Sequence, residues 1–228
     1  MSPNPRPFPS RFLPLAAALG LAACSDRPPA PADDRLLVVD GITITLAEVE
    51  PYVAFLDAAV PEAGRKTKIR RIVDEHLLPL RLAQRAFAAR RAELREQAAA
   101  LCGIATNSSE LERVAPMQGD RTRRNLSRMQ PRLPVAMFLF DPLLTGAVSP
   151  PIEVPNGWVV ATAFDLHEGA LMLDDYVDAL QIGFLTHDAE GWGQWLLAER
   201  ARVAGTVTWV HPDYREAMPD WLHLPRLQ

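Results

Sequence analysis

Gly146-Ala147-Val148-Ser149-Pro150-Pro151-Ile152-Glu153-Val154-Pro155-Asn156-Gly157-Trp158-Val159-Val160 decides how the second half of this chain is read. Two short β-prone runs flank Pro155-Asn156-Gly157, a tripeptide that punctuates strands and supplies the residue types tight turns require. The stretch therefore predicts an antiparallel hairpin. Ahead of it stand Met137-Phe138-Leu139-Phe140 and an arginine-rich segment, Arg121, Arg123, Arg124, Arg128 and Arg132. That segment reads as a solvated helix face, with docking of acidic groups or anionic lipid as the functional alternative. After the hairpin, Val177, Leu180, Phe184, Trp192, Trp195 and Leu196 predict helix over residues 173–203, broken near Gly183, Gly191 and Gly193. Thr206-Val207-Thr208-Trp209-Val210 then reads as a final strand.

Toward the N-terminus, Leu36-Leu37-Val38-Val39 and Ile42-Thr43-Ile44 are β-prone runs joined by Asp40-Gly41, a strong turn signal. Thr45 stands three residues before Glu48, the spacing of a capping box, and opens a helix with Leu46, Val49, Val53 and Leu56 on one side. Pro51 should kink that helix or move its start toward Glu50. Residues 66–101 carry Ile69, Ile72, Val73, Leu77, Leu80, Ala83 and Phe87 at three- and four-residue steps, a long amphipathic helix in which Pro79 should produce a kink, or a meeting of two helices, near Leu78. Asn107-Ser108-Ser109-Glu110 caps a short third helix.

The first residues carry a different message. Arg6 and Arg11 precede an almost uncharged run ending in Leu19-Gly20-Leu21-Ala22-Ala23-Cys24, which looks like a bacterial lipobox. At about a dozen residues the run is shorter than the ~20 that span a bilayer. Residues 1–23 are expected to be a lipoprotein signal peptide, Cys24 the lipidated mature N-terminus, and the proline-rich residues 24–35 a flexible tether. Acyl chains contribute about 0.8 kcal/mol per buried methylene, so two or three of them anchor a protein firmly. The expected address is the bacterial cell envelope, lipid-anchored and facing the periplasm; Ser25, where aspartate would retain an inner-membrane lipoprotein, favours the outer membrane. A net charge of −4 over 228 residues argues against a nucleic-acid partner. Cys102, the second of two cysteines, has no internal partner once Cys24 is acylated.

Two segments resemble one family, the secreted parvulin-type peptidyl-prolyl isomerases and periplasmic foldases of the SurA and PrsA type. Val39 to Glu48 is similar to their opening "V-N-G-x-x-I-T" strand, turn and cap, and Ile69 to Leu78 with Ala83-Gln84-Arg85-Ala86 is similar to the "L-I-D-x-x-L-L…A-x-x" helix that follows. Gly146 to Val160 resembles the parvulin "G-x-V-S-x-P-V-x-T-P-x-G-[YW]-H-I-I" hairpin, and residues 205–210 a terminal "A-x-V-x-W/Y" strand. The resemblance covers about half of the mature chain. It implies an α+β fold: a mainly helical, chaperone-like N-terminal domain over residues 36–132, a small antiparallel β element from a reduced parvulin-like region over 133–170, and a C-terminal helix and strand over 171–228 returning to the core.

What the family implies about activity is altered by the residues present. Parvulins carry a histidine on their first strand and another in the "G-[YW]-H" position; Val159 occupies the second, and no histidine lies between Leu101 and Leu139. Isomerisation asks only that a barrier of about 18–20 kcal/mol be lowered by a shaped, partly apolar pocket, so no nucleophile is needed. The reading is a membrane-tethered foldase that binds unfolded or extended polypeptide clients, with isomerase activity weak or lost. An active isomerase with an altered site and an accessory lipoprotein dedicated to one partner are the alternatives. Candidate client-contacting residues are Trp158, Val159, Phe138, Phe140, Val53 and Leu56, with a groove expected on the apolar faces of the two kinked helices. Trp221, in the proline-rich tail, is a candidate exposed contact.

Other chemistry finds little support in the spacing. The five histidines, His76, His167, His187, His211 and His223, lack metal-ligand spacing. Asp174, Asp175 and Asp178 read as caps at a helix start. With no phosphate loop, dinucleotide fingerprint or Gly-X-Ser-X-Gly, neither cofactor nor metal is expected.

Overall fold

A computed structural model describes residues 34–115, 120–169 and 174–225; the signal, Cys24 and nearly all of the tether lie outside them. Folded structure opens with β1 (Arg35–Val39) and β2 (Ile42–Thr45), paired antiparallel with Val39 opposite Ile42. Asp40 and Gly41 take φ of 50° and 74°, the left-handed pair of a hairpin turn whose twist matches its strands. The capping box follows directly: the Thr45 hydroxyl accepts from the Glu48 amide at 3.3 Å and the Glu48 carboxylate accepts from the Thr45 amide at 2.8 Å. Thr45→Ala is expected to lower stability by about 1 kcal/mol in urea denaturation, with Thr45→Ser restoring most of it; equal losses in the two variants would remove the cap from the account.

Helix α1 (Leu46–Ala59) starts at that cap rather than near Glu50, and Pro51 lies inside it. Pro51 is on the exposed side, where its missing N–H forgoes one bond at the edge of the first turn. The long second helix is three pieces in sequence: α2 (Arg65–Ile72), a π-helical turn over Val73–Leu77, and α3 (Leu78–Ala86). The Leu78 amide reaches the Val73 carbonyl across the widened turn, and Pro79 follows it immediately, so the expected disturbance near Leu78 takes the form of a π bulge. A second break, which the periodicity does not foretell, falls at Phe87, before α4 (Ala88–Ile104). Phe87 leaves the helical register (φ −124°, ψ 30°) and packs its ring against His187 and Trp195, centroids 4.9 and 4.8 Å away. Helix α5 (Ser108–Val114) is capped by Asn107 as its sequence predicts.

The arginine-rich segment is a correction. Rather than a helix face it forms β3 (Asp120–Ser127), paired along its whole length with β6 (Tyr176–Leu185). The expected helix over residues 173–203 is likewise half strand, and only α7 (Ala189–Val203) is helical. Between them lie α6 (Leu133–Leu139), which contains Met137 and Phe138, and the predicted hairpin, β4 (Ile152–Val154) and β5 (Gly157–His167). These strands form a four-stranded antiparallel sheet in the order β3-β6-β5-β4. It is larger than the small β element expected over residues 133–170, because it recruits one strand from each side of that region.

Each sheet face is buried against helix. Leu94, Ala98 and Leu101 of α4 and Leu111 of α5 pack on Val160, Leu180, Ile182 and Phe184. On the other face Val135, Ala136 and Leu139 of α6 meet Val159, Ala161, Val177 and Ala179. Strand β7 (Val207–Val210) returns to β1, completing a second sheet ordered β2-β1-β7. Its core joins Val203, Val207, Val210 and Met218 to Leu36, Val53, Leu56, Ile69 and Ile72, as a C-terminal segment returning to the N-terminal body requires. The fold is mixed α+β, with two small antiparallel sheets.

Candidate functional site

A trough of about 780 Å³ opens where β5 begins and β6 ends. Leu94 and Gln97 of α4 form one wall, Phe184 and Leu185 of β6 another, and His187 and Trp192 at the start of α7 the third; Arg90 and Arg132 stand at its sides. The Pro155-Asn156-Gly157 turn holds its floor. The Asn156 side chain donates to the His187 carbonyl at 3.0 Å and accepts from the Thr186 hydroxyl at 2.6 Å, welding the hairpin turn to the β6–α7 junction. Gly157 has φ 139°, and a Cβ there would run into the Phe184 carbonyl oxygen, so only glycine lets β5 leave the turn this close to β6.

Beside the trough stands a cluster of aromatic rings. Trp192 and Trp195 are 4.9 Å apart and Trp195 lies beside His187 and Phe87, so apolar area accumulates next to one titratable ring whose Nδ1 is 3.1 Å from the Thr186 hydroxyl. Asp188 is committed: its carboxylate accepts from the Gly191 amide at 2.7 Å as the cap of α7.

Two smaller hollows adjoin. One of about 140 Å³ lies on the α6 face of the sheet among Thr122, Val135, Val159 and Gln181. The other, of about 320 Å³, lies between the π turn and the approach to α6 and is lined by Arg71, Glu75, His76 and Met129. Arg132 lines both of them as well as the trough. His76 is buried, with Nε2 2.9 Å from the Tyr52 hydroxyl and Nδ1 without a protein partner. Burial pushes its pKa down to about 4, aided by the charges of Arg132 and Arg81. Burial among protein atoms also lowers the Arg132 pKa, partly offset by Glu75.

The six sequence-predicted contact residues do not converge. Val53 and Leu56 are fully buried in the core shared with β1 and α2. Trp158 and Val159 point to opposite faces of β5: Trp158 packs toward α4, its indole donating to the Arg91 carbonyl at 3.0 Å, and Val159 packs toward α6 and edges the smallest hollow. Phe138 and Phe140 flank the core under α6, Phe140 buried beneath the Arg128 guanidinium at 4.9 Å. Nor are the apolar faces of the kinked helices free, since they form that same core. They do frame a cleft of about 380 Å³, lined instead by Tyr52, Leu77, Leu80 and Met137 with Glu48, Arg81 and Glu153. Trp221 is corrected too: it packs against the N-terminal core and its indole donates to the Asp74 carboxylate at 2.8 Å.

Asp175 and Asp178 are not helix caps. Asp178 lies within β6 and pairs with Arg123, and buried Asp175 pairs with Arg128 at 2.6 Å and accepts from the Gly169 amide. Among the described residues no three metal-ligating side chains meet. Sequence reasoning missed Asn156, His187 and Trp192 as one constellation; the turn tripeptide marks Asn156, but nothing local places it against His187. Compared with protein-family models, curated proteins and solved structures, the chain matches none.

Proposed function

We propose that this chain is an envelope-anchored client-binding protein related to the parvulin-type foldases, which holds extended polypeptide and does not isomerise it efficiently. The observation that carries the reading is the trough: open, apolar along Leu94, Phe184, Leu185 and Trp192, and edged by arginine, amide and imidazole side chains. Such a lining suits a backbone with mixed side chains, because apolar walls supply contact area and a few polar groups fix orientation. Binding is favoured over catalysis because Val159 stands where the family carries a histidine and is itself buried under α6. Lipidation at Cys24 would keep the body at the membrane; among the described residues no helix is long and apolar enough to cross one.

Suppression of aggregation by three unrelated unfolded proteins tests the reading, together with a protease-coupled assay on a proline tetrapeptide. The expected outcome is suppression of all three at near-stoichiometric ratios and an isomerisation rate equal to the uncatalysed one. No suppression at molar excess, or protection of a single client, would reject general client binding in favour of a dedicated partner. Rapid isomerisation would reject the loss of catalysis.

A further inference from the structure

Of the five arginines that crowd residues 121–132, the fold disposes of two by pairing. Arg123 reaches Glu112 and Asp178, and Arg128 is buried against Asp175. Arg132 is different. The residue is solvent-accessible although protein atoms crowd its guanidinium, three concavities converge on it, and among the described residues that guanidinium has no hydrogen-bond or ion-pair partner. The other charges around these hollows are occupied: Arg90 with Glu93, Arg71 with Glu75, and Asp188 with the α7 cap. Among the described residues, Arg132 is then a positive charge without a bonded partner where the trough meets the two hollows, with Glu75 as the opposite charge that acts on it. A second observation lies alongside: His76, buried to 2 % exposure, lines the adjoining hollow with Nδ1 unpartnered.

Resting on the client-binding reading above, we infer that Arg132 is the anchor of a carboxylate subsite, so that the trough selects extended segments bearing an acidic side chain or a free C-terminus. A planar guanidinium with an unused fork matches a carboxylate by two parallel hydrogen bonds. Phe184, Leu185 and Trp192 line the same trough and would supply apolar contact to the residues flanking the carboxylate. A phosphate dianion fits less well, because the neighbouring Arg71 and Arg90 are already paired with Glu75 and Glu93 and Arg132 alone offsets one of its two charges.

The test uses the protein without its signal and four fluorescent ten-residue peptides of one apolar sequence, carrying a central Glu or Gln and a free or amidated C-terminus. Anisotropy at low salt is expected to show binding of an acidic peptide about 10- to 100-fold tighter than the neutral amidated one, the range for a hydrogen bond to a charged group. Arg132→Gln should abolish that preference, bringing the acidic peptides to the affinity the same variant has for the neutral amidated one, and Arg132→Lys should restore part of it; circular dichroism confirms that each variant is folded. The Glu and free-acid arms show which carboxylate source is preferred. Equal binding of all four peptides overturns the carboxylate subsite and leaves client binding standing; binding of none of them overturns client binding itself. Inorganic phosphate displacing an acidic peptide as well as acetate does, or better, would also overturn the assignment.

Discussion

Arg91→Met is expected to destabilise the protein by about 4 kcal/mol, a large part of the ~5–15 kcal/mol that holds a domain together. Arg91 lies on α4 yet is only 4 % exposed, because its side chain runs under the hairpin turn. There it donates to the Pro155 carbonyl at 2.7 Å, the Val154 carbonyl at 3.0 Å and the Gly157 carbonyl at 3.4 Å, and pairs with Glu153 at 2.9 Å. Those carbonyls belong to the turn that joins β4 to β5 and to its closing pair, Val154 opposite Gly157. Removing the guanidinium takes a charged donor from each of those carbonyls and leaves the partly buried Glu153 carboxylate with only the Gln84 amide, 3.0 Å away, among its named partners, and buried acceptors that lose a donor cost more than a made bond returns. Arg91→Lys should recover only part, since an ammonium lacks the fork that reaches several acceptors at once. Urea denaturation measures the loss, with exposed Arg90→Ala as the control. Should Arg91→Met cost no more than that control, the turn does not depend on α4 and the clamp is wrong.

The same residue shows which parts of the fold a sequence discloses. Local chemistry is legible: Asp40-Gly41, the Thr45–Glu48 box, the Asn107 cap and Pro155-Asn156-Gly157 each fix a turn or a helix start through atoms a few residues apart, and each stands in the structure as read. The misreadings are all nonlocal. Five arginines within residues 121–132 look solvated, and nothing in them announces that residues 120–127 will find eight partners on β6. Strand β6 is buried on both faces, so Val177, Leu180 and Phe184 match helical spacing by coincidence while Ala179 and Ile182 fill the positions between. Phe87 breaks its helix for the sake of rings roughly a hundred residues onward. Candidate site residues fared likewise. Val53 and Leu56 mark an apolar face, but such a face says only that something covers it, and here the N-terminal core does. Arg132 is one arginine among five until α6 sets it at the mouth of the trough.

Acid should weaken this protein well before its carboxylates are protonated, and His76 is the reason. Enclosure of the ring between the π turn and Tyr52 depresses its pKa to about 4 from an ordinary 6.5. The charges of Arg132 and Arg81 add to the depression and Glu153 opposes it, while Arg71 and Glu75, a salt-bridged pair, line the same hollow. Between those two values the unfolded chain binds a proton that the folded one refuses, so stability rises with pH there. The contribution is whole above pH 6.5 and is lost as pH falls toward 4, by about 3 kcal/mol at the end of the window. The structural carboxylates act lower down. Against the upward push of burial, Thr45 and Arg81 hold Glu48 below its ordinary value, and Arg128 with the Gly169 amide does the same for Asp175. Their losses therefore begin as pH falls through the ordinary carboxylate values, 4.5 for Glu48 and 3.8 for Asp175, at the lower end of the His76 window. Urea midpoints taken at successive pH values resolve the two regimes. His76→Phe keeps a ring against Tyr52, 4.8 Å away in the native pair, and removes the titration. Its absolute stability falls because the Tyr52 hydroxyl loses its partner, but its profile should be flat between pH 6.5 and 4. Arg132→Gln should narrow the window from below by removing a neighbouring positive charge, and a carboxylate held by Arg132 should do the same in the unsubstituted protein. If His76→Phe kept the full slope, some other group would have to take up the proton, and the buried, neutral imidazole would be the wrong source of the acid lability.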